Sequence, residues 1–391
     1  MLKDKRAARC RASLLLLLIT ALVSVQSAAA ERPAWADRVD QKVQEVKAAK
    51  GIPGISLAIV RDGKLAYTGA WGLADVEMGL PAKPETVYPI SSVSKIFTGP
   101  VAMALVAEGK LDLDTSVLHY LPQLPKAYRP ITMRHLLSHT HGLTDYYHTA
   151  EFDALPDKVK YGMSGDELIL WLAPRPFEFQ PGKGWSYNLL GYVMAQRILE
   201  AIEYKPFADI VTERIFKPLG MNASVYGGTG IVIPGRHPVL YGYDDAHRLT
   251  SIPLHFPAPT YAAGGLNSSV LDMARYFAAI ENNELLTPEA FAEIWKPYPV
   301  SAEGLKPGQA PFYGLGWFSV HRKSTGRFVV GHEGGGNAWA YYWPDYHLAV
   351  IALSNLSGAR ADLLDFDIAQ IIIGESTGKD VTGPEDVTGS E

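Results

Sequence analysis

Ser92 and Lys95 stand three residues apart in VYPISSVSKIFTGPVAMAL, where an apolar, helix-forming run begins. At that spacing on a helix the two side chains share a face, so the amine can reach the hydroxyl. A serine hydroxyl is a weak nucleophile at neutral pH and needs a base. Lysine can serve as one when burial or a cationic neighbour lowers its pKa, and the apolar surroundings of Lys95 are suited to bury it. A helix N-terminus would add positive potential for a developing alkoxide and oxyanion. A serine cap followed by a surface lysine gives the same pattern, so the pair acquires meaning only from partners elsewhere in the chain.

Two further stretches supply such partners. PGKGWSYNLLGYVMA places Tyr187 after a Pro-Gly turn and just before a helix. RFVVGHEGGGNAWAYYW places His332, Gly334 and Gly335 where a strand enters a glycine-rich turn. In this order the three motifs resemble the serine β-lactamase and penicillin-binding-protein superfamily. Within it they resemble the branch of class C β-lactamases, D-alanyl-D-alanine carboxypeptidases and family VIII-type esterases. GKLDLDTSV (109–117), ITMRHLLSHTHGL (131–143), IFKPLGM (215–221), AAGGLNSSVLDMARY (262–276), YGLGW (313–317) and PDYHLAVIALSN (344–355) resemble segments of the same family. The likeness therefore spans nearly all of the chain beyond residue 30.

The resemblance implies a set of roles. Ser92 attacks a carbonyl and is acylated, while Lys95 and Tyr187 share the proton transfers, with the acylation base left open between them. The backbone N–H groups of Ser92 and Gly335 form the oxyanion hole, where one donor is typically worth about 3 kcal/mol of transition-state stabilisation. His332, Gly334 and Asn188 are candidate substrate contacts, and glycine at 334 and 335 lets the strand edge approach closely. The resemblance calls for neither cofactor nor metal. Trp339 is the favoured aromatic for the acyl pocket, with Tyr341, Tyr146, Tyr147 and Trp317 as further candidates, although core packing accounts for any of them equally. Asn337 reads as a turn residue.

Two departures shape the expected substrate. The family's Tyr-x-Asn becomes Tyr187-Asn188-Leu189, so the amide that would bind an acylamino group is missing, and Asn188 occupies a different position. Lys-Thr-Gly becomes His332-Glu333-Gly334, and an imidazole offers a substrate carboxylate less dependable charge than lysine does. Both changes point to a neutral ester or amide, or to a poorly handled β-lactam.

Other chemistries are less well served. His135, His139, His141, Asp145 and His148 crowd one stretch, but the acid stands four residues after His141, and Leu136 and Leu137 suggest a helix ending at a Gly142 cap. HEGGG has glycine where H-E-x-x-H requires a second histidine, and there is no G-x-S-x-G. Cys10 is the only cysteine.

It lies in a segment that reads as export-directing: basic MLKDKRAARCRAS, apolar SLLLLLITALVSV, then small residues, with cleavage expected after Ala30. That segment holds five basic side chains and one acid (Asp4) of the chain's 36 and 41. The remainder carries 31 basic and 40 acidic residues, a balance that does not suggest a nucleic-acid partner. The expected location is periplasmic or secreted.

The elements that must position these groups follow from periodicity. ISLAIV, a turn at RDGK and LAYTGAWG read as a hairpin. Helices are expected over Ser94–Glu108, Gly165–Trp171, Leu189–Ala201, Phe207–Phe216 and Leu271–Ala279, with Pro100 kinking the first. Phe328–Val330, Ala338–Trp343 and His347–Leu353 read as strands, and Ala359–Ile373 as a closing helix. The predicted fold is α/β (α+β): an antiparallel sheet from both termini (about 31–85 and 300–375), flanked by helices, with a large helical region (about 86–299) inserted. Residues 376–391 read as a disordered polar tail. The expected function is that of an exported serine hydrolase acting through a Ser92 acyl-enzyme on a carboxylic ester or D-amino-acid-type peptide amide. Its partner would be a small-molecule or peptidoglycan-like peptide substrate. The alternatives are a class C-like β-lactamase and a non-catalytic penicillin-binding or sensor protein.

Overall fold

Seven strands form one antiparallel sheet: β1 (Gly54–Arg61), β2 (Lys64–Asp75), β3 (Leu80–Pro81), β4 (Phe318–Arg322), β5 (Arg327–Gly334), β6 (Ala338–Trp343) and β7 (Leu348–Ser354). Their order is β3-β2-β1-β7-β6-β5-β4. β1 and β7, from distant parts of the sequence, lie side by side at the centre, with Ile55 opposite Ser354 and Arg61 opposite Leu348. The sheet is thus built from N- and C-terminal segments, as the sequence predicts.

The computed structural model describes residues 32–377 except 146–148, 161, 174, 228–237, 254–255, 299–311, 323–326 and 362–363. The export-type segment 1–30, the tail from 378 and the candidates Tyr146, Tyr147 and His148 lie outside the described residues. The helices that bear on the site or cover the sheet are α1 (Ala36–Lys50), α2 (Lys95–Ala107), α3 (Met133–Leu137), α4 (Leu190–Glu203), α5 (Val270–Glu281) and α6 (Leu364–Thr377). Among the described residues, no helix is long and apolar enough to cross a membrane.

Both faces of the central strands are covered, which is why LAVIALS is almost continuously apolar. Successive side chains point to opposite faces. Leu57, Ile59, Val350 and Ala352 meet Val39 and Val43 of α1 and Ile368 and Ile372 of α6. Ala58, Val60, Ile351 and Leu353 join the larger core on the other side, with Phe97, Val101, Tyr276 and Phe277. The same alternation along β6 sends Trp339, Tyr341 and Trp343 to the α1/α6 side, and Ala338, Ala340 and Tyr342 to the other.

Several boundaries differ from expectation. The helix expected from Ser94 is preceded by a tight 3-10 turn, Ser91–Ser94, and α2 starts at Lys95. The closing helix starts at Leu364 rather than Ala359, after Arg360 has adopted a left-handed φ of 41°. β5 is longer than its apolar core and carries His332 within it, and β4 has no clear signal in the sequence. The helix at Phe207 ends at Val211 and widens into a π-helical turn, Thr212–Phe216.

Pro100 lies inside α2 and can donate no bond to Ile96. That carbonyl is satisfied by other donors: the Tyr276 hydroxyl at 2.8 Å and the Trp317 indole N–H at 3.2 Å. The proline thus frees an acceptor that fixes α5 and the 313–317 segment against α2.

Candidate active site

The Ser91–Ser94 turn fixes Ser92. Ser91 adopts a left-handed φ of 47°, a conformation that costs an L-residue about 1–2 kcal/mol. Its carbonyl accepts the Ser94 hydroxyl at 2.6 Å, and Ser94 Oγ accepts the Leu266 N–H at 3.1 Å, so the turn is held to the 266–268 strand.

Lys95 is fully buried at the start of α2. Its Nζ donates to Ser92 Oγ at 3.1 Å and to the Ala263 carbonyl at 2.7 Å. Burial lowers its pKa from 10.5 to about 7, because taking the ammonium out of water penalises the charged form. At neutral pH a substantial fraction of Lys95 is therefore the free amine. The AAGG segment, whose role cannot be read from the sequence, supplies the carbonyl that aims this amine.

Tyr187 comes from the loop preceding α4 and lies beside Ser92, near enough for a hydrogen bond from Ser92 to act on its phenol. The Lys95 Nζ lies 4.9 Å from the centre of its ring. Burial pushes the phenol above its ordinary range; the Ser92 hydrogen bond opposes this and the Glu333 charge adds to it. Tyr187 is thus a protonated phenol at neutral pH. The structure brings Ser92, Lys95 and Tyr187 together, although the last comes from a loop far along the chain.

The glycine-rich end of β5 forms the opposite wall. A β-carbon at Gly334 would fall 2.4 Å from the Ile90 carbonyl oxygen and 2.7 Å from the Ser92 nitrogen, so only glycine admits this approach. Gly335 turns out of the strand with a φ of 58°. Among the described residues, no backbone carbonyl accepts the N–H of Ser92 or of Gly335. Both remain available to a ligand oxygen.

His332 lines the same cavity of about 540 Å3, but both its ring nitrogens are engaged. Nδ1 faces the Glu333 carbonyl, which can only accept, so Nδ1 carries the proton. Nε2 then accepts the Tyr313 hydroxyl at 2.8 Å. Burial first, and the Lys95 charge second, push its pKa down to about 3. The imidazole is neutral and offers no charge to a substrate carboxylate. The cavity is completed by an aromatic wall, Trp185 and Phe318, and by Glu333 and Arg360. None of these four, nor Tyr313, is singled out by the spacing of the three motifs.

Several candidates lie elsewhere. Trp339 is 1% exposed on the α1/α6 side of β6 and does not line the cavity, because strand alternation points it away from β5's glycine face. Tyr341 shares that face. Trp317 packs against Phe277 and Trp295 in the main core. Asn188 is not a cavity residue: its amide donates to the Leu143 carbonyl at 2.8 Å and accepts the Gly191 N–H at 3.3 Å, bracing the start of α4. Leu189 packs against the main core. Asn337 ties the turn to the Pro89 carbonyl at 2.8 Å.

Two of the clustered histidines, His135 and His141, hold local backbone in place. His135 closes a capping box on Thr132, and His141 Nδ1 accepts the Leu143 N–H at 3.0 Å. α3 ends at Leu137, and the left-handed residue just beyond its cap is His139 rather than Gly142. Among the described residues, no group of three or more His, Cys, Asp or Glu side chains is placed to hold a metal ion.

The Beta-lactamase family model matches residues 39–371. A penicillin-binding protein of Bacillus subtilis is 28% identical over 300 residues, covering 74% of this chain and 63% of its own length. The chain thus spans somewhat under two thirds of that relative. An esterase of Burkholderia gladioli is 29% identical over 322 residues, covering 73% of this chain and 79% of the esterase. The crystal structure of a D-stereospecific amidohydrolase from Streptomyces sp. superposes with a TM-score of 0.70 at 26% identity, covering 88% of this chain and 99% of that one.

Proposed function

The chain belongs to the beta-lactamase family, and from that premise we propose that it is a serine hydrolase that forms an acyl-enzyme on Ser92. The observation that carries the proposal is the buried Lys95 amine at 3.1 Å from the Ser92 hydroxyl, with a pKa lowered to about 7. Lys95 is assigned as the acylation base, because Tyr187 is a neutral phenol at the pH where Lys95 can accept a proton.

The chemistry runs in two halves. The Ser92 proton passes to Lys95 as Oγ bonds to the acyl carbon, and the carbonyl π electrons move to oxygen. That oxyanion meets the N–H groups of Ser92 and Gly335. When it collapses, the bond to the leaving alcohol or amine breaks, and Tyr187 gives the leaving group its proton and takes one from the Lys95 ammonium. Water then attacks the ester, with the proton transfers reversed.

The substrates proposed are carboxylic esters and D-amino-acid-type amides, with β-lactams handled poorly. A neutral His332 with both nitrogens engaged, and a leucine at 189 turned into the core, support this order. An esterase and a D-stereospecific amidohydrolase among the similar proteins point the same way. Export is part of the proposal, on the pattern of residues 1–30.

A fluorophosphonate probe should label the wild type and not Ser92→Ala. A panel of p-nitrophenyl esters, D-alanyl-D-alanine peptides and nitrocefin should give turnover on the first or second class well above the third. Equal labelling of Ser92→Ala would refute the acyl-enzyme, and preferential nitrocefin turnover would refute the substrate class.

A further inference from the structure

His139 belongs to none of the three motifs, yet it occupies a costly position. It is fully buried with a left-handed φ of 61°, a conformation glycine or asparagine adopts more readily. Its Nε2 is buried without a hydrogen-bond partner among the described residues, which also carries a penalty. A leucine would fill the same space without that penalty. Packing therefore does not explain the imidazole.

Its contacts do. The left-handed turn directs both the backbone and the ring of His139 at the loop that carries Tyr187. The His139 carbonyl accepts the N–H of Ser186 at 3.0 Å, and its Nδ1 accepts the N–H of Asn188 at 3.4 Å. These are the two residues flanking Tyr187. The imidazole ring lies 4.3 Å from the Tyr187 ring at an interplanar angle of 39°. Tyr187 is thus gripped at the backbone on either side and along its ring.

We propose that His139 is a positioning residue that clamps Tyr187 within reach of Ser92. The role requires an unprotonated Nδ1, since a proton there would turn the acceptor into a second donor facing the Asn188 N–H. Burial first, and then the charges of Lys95, His141 and His332, hold the imidazole neutral by pushing its pKa well below the usual range. The aromatic rings of Tyr192, Tyr313 and Trp185 enclose the remaining sides. A misplacement of about 1 Å at a reacting group can lower turnover by about a hundredfold.

The proposal rests on the reading of Tyr187 as a proton-transfer group, so its test compares wild-type and Tyr187→Phe backgrounds in the full chain. His139→Gly keeps the left-handed backbone and the carbonyl but removes ring and acceptor. On p-nitrophenyl esters it should lower kcat by about 10- to 100-fold with KM within about threefold. His139→Asn tolerates the same φ and puts an amide oxygen near the Nδ1 position, so it should recover most of that loss. In Tyr187→Phe, His139→Gly should cost less than about twofold more, because its effect acts through the phenol. If His139→Gly fails to fold, His139→Leu replaces it in both comparisons. The same fold-loss in both backgrounds would overturn the proposal, as would His139→Asn as slow as the acceptor-free variant with an unchanged melting temperature. Unaltered kcat in Tyr187→Phe alone would instead remove the role of Tyr187 itself.

Discussion

Replacing Lys95 with methionine should abolish turnover and yet stabilise the fold in a pH-dependent way. The wild-type amine titrates at about 7 when folded and at 10.5 when unfolded. Each pH unit of that gap corresponds to about 1.4 kcal/mol, so burial of this one group costs roughly 5 kcal/mol below pH 7. Between about pH 7 and 10.5 the unfolded chain holds a proton that the folded chain has released, so wild-type stability gains from rising pH in that window. Methionine fills similar volume and has nothing to titrate, but it leaves the Ala263 carbonyl without its donor, a loss of about 1–3 kcal/mol. The net expectation is a variant more stable than wild type by about 2–4 kcal/mol at pH 6, from these two opposing magnitudes. That advantage should shrink steadily above pH 7 and vanish before pH 10. Urea unfolding of both proteins at pH 6, 7.5, 9 and 10 reads the difference directly. A stability difference that stays constant across that range would refute the reasoning, since a buried, neutralised lysine must make it slope.

Three other perturbations probe the same geometry. The pH profile of kcat/KM on a p-nitrophenyl ester should rise through an apparent pKa near 7, set by Lys95, with no limb from His332, which titrates near 3; activity flat from pH 5 to 8 would contradict this. Gly334→Ala places a methyl 2.7 Å from the Ser92 nitrogen, so kcat should fall by about a hundredfold as the oxyanion donors part, measured beside a melting curve that shows the fold intact. Pro100→Ala should gain far less than the roughly 3 kcal/mol a helix-interior proline ordinarily costs, because Tyr276 and Trp317 already satisfy the Ile96 carbonyl. Urea unfolding of that variant decides the point.

What could be read from the sequence followed from short-range patterns. The antiparallel sheet is legible because strand-like runs, ISLAIV and LAVIALS among them, stand at both ends of the chain around a helical middle, and the candidates Ser92, Lys95 and Tyr187 because each sits in a motif whose neighbours constrain it. Trp339 lies off the cavity because proximity in sequence to His332 says nothing about which face of β6 a residue occupies; the pleat sends it to the α1/α6 layer. Asn188 failed for a related reason, since one step along a turn rotates the side chain from the cavity to the Leu143 carbonyl. Tyr313, Phe318 and Arg360 reach the site through long-range packing, for which single-sequence periodicity has no signal.

The site's behaviour traces to one physical cause. Exclusion of water depresses Lys95, His332 and His139 together and raises Tyr187, so three bases and one acid are all pushed toward their neutral forms. For Lys95 the shift leaves an unprotonated amine beside Ser92 at neutral pH, as the proposed acylation base requires. For His332 it removes the charge that the family's lysine would present to a carboxylate. For His139 it preserves an acceptor facing the Asn188 amide. A polar substitution that let water into this cluster would act on all four at once: Lys95 would return toward 10.5 and cease to be a base near neutrality, while His332 would become able to hold a proton. On this argument, catalytic competence and indifference to substrate carboxylates are coupled. A wetter variant of the site should lose ester turnover at neutral pH and recover it only as the pH is raised.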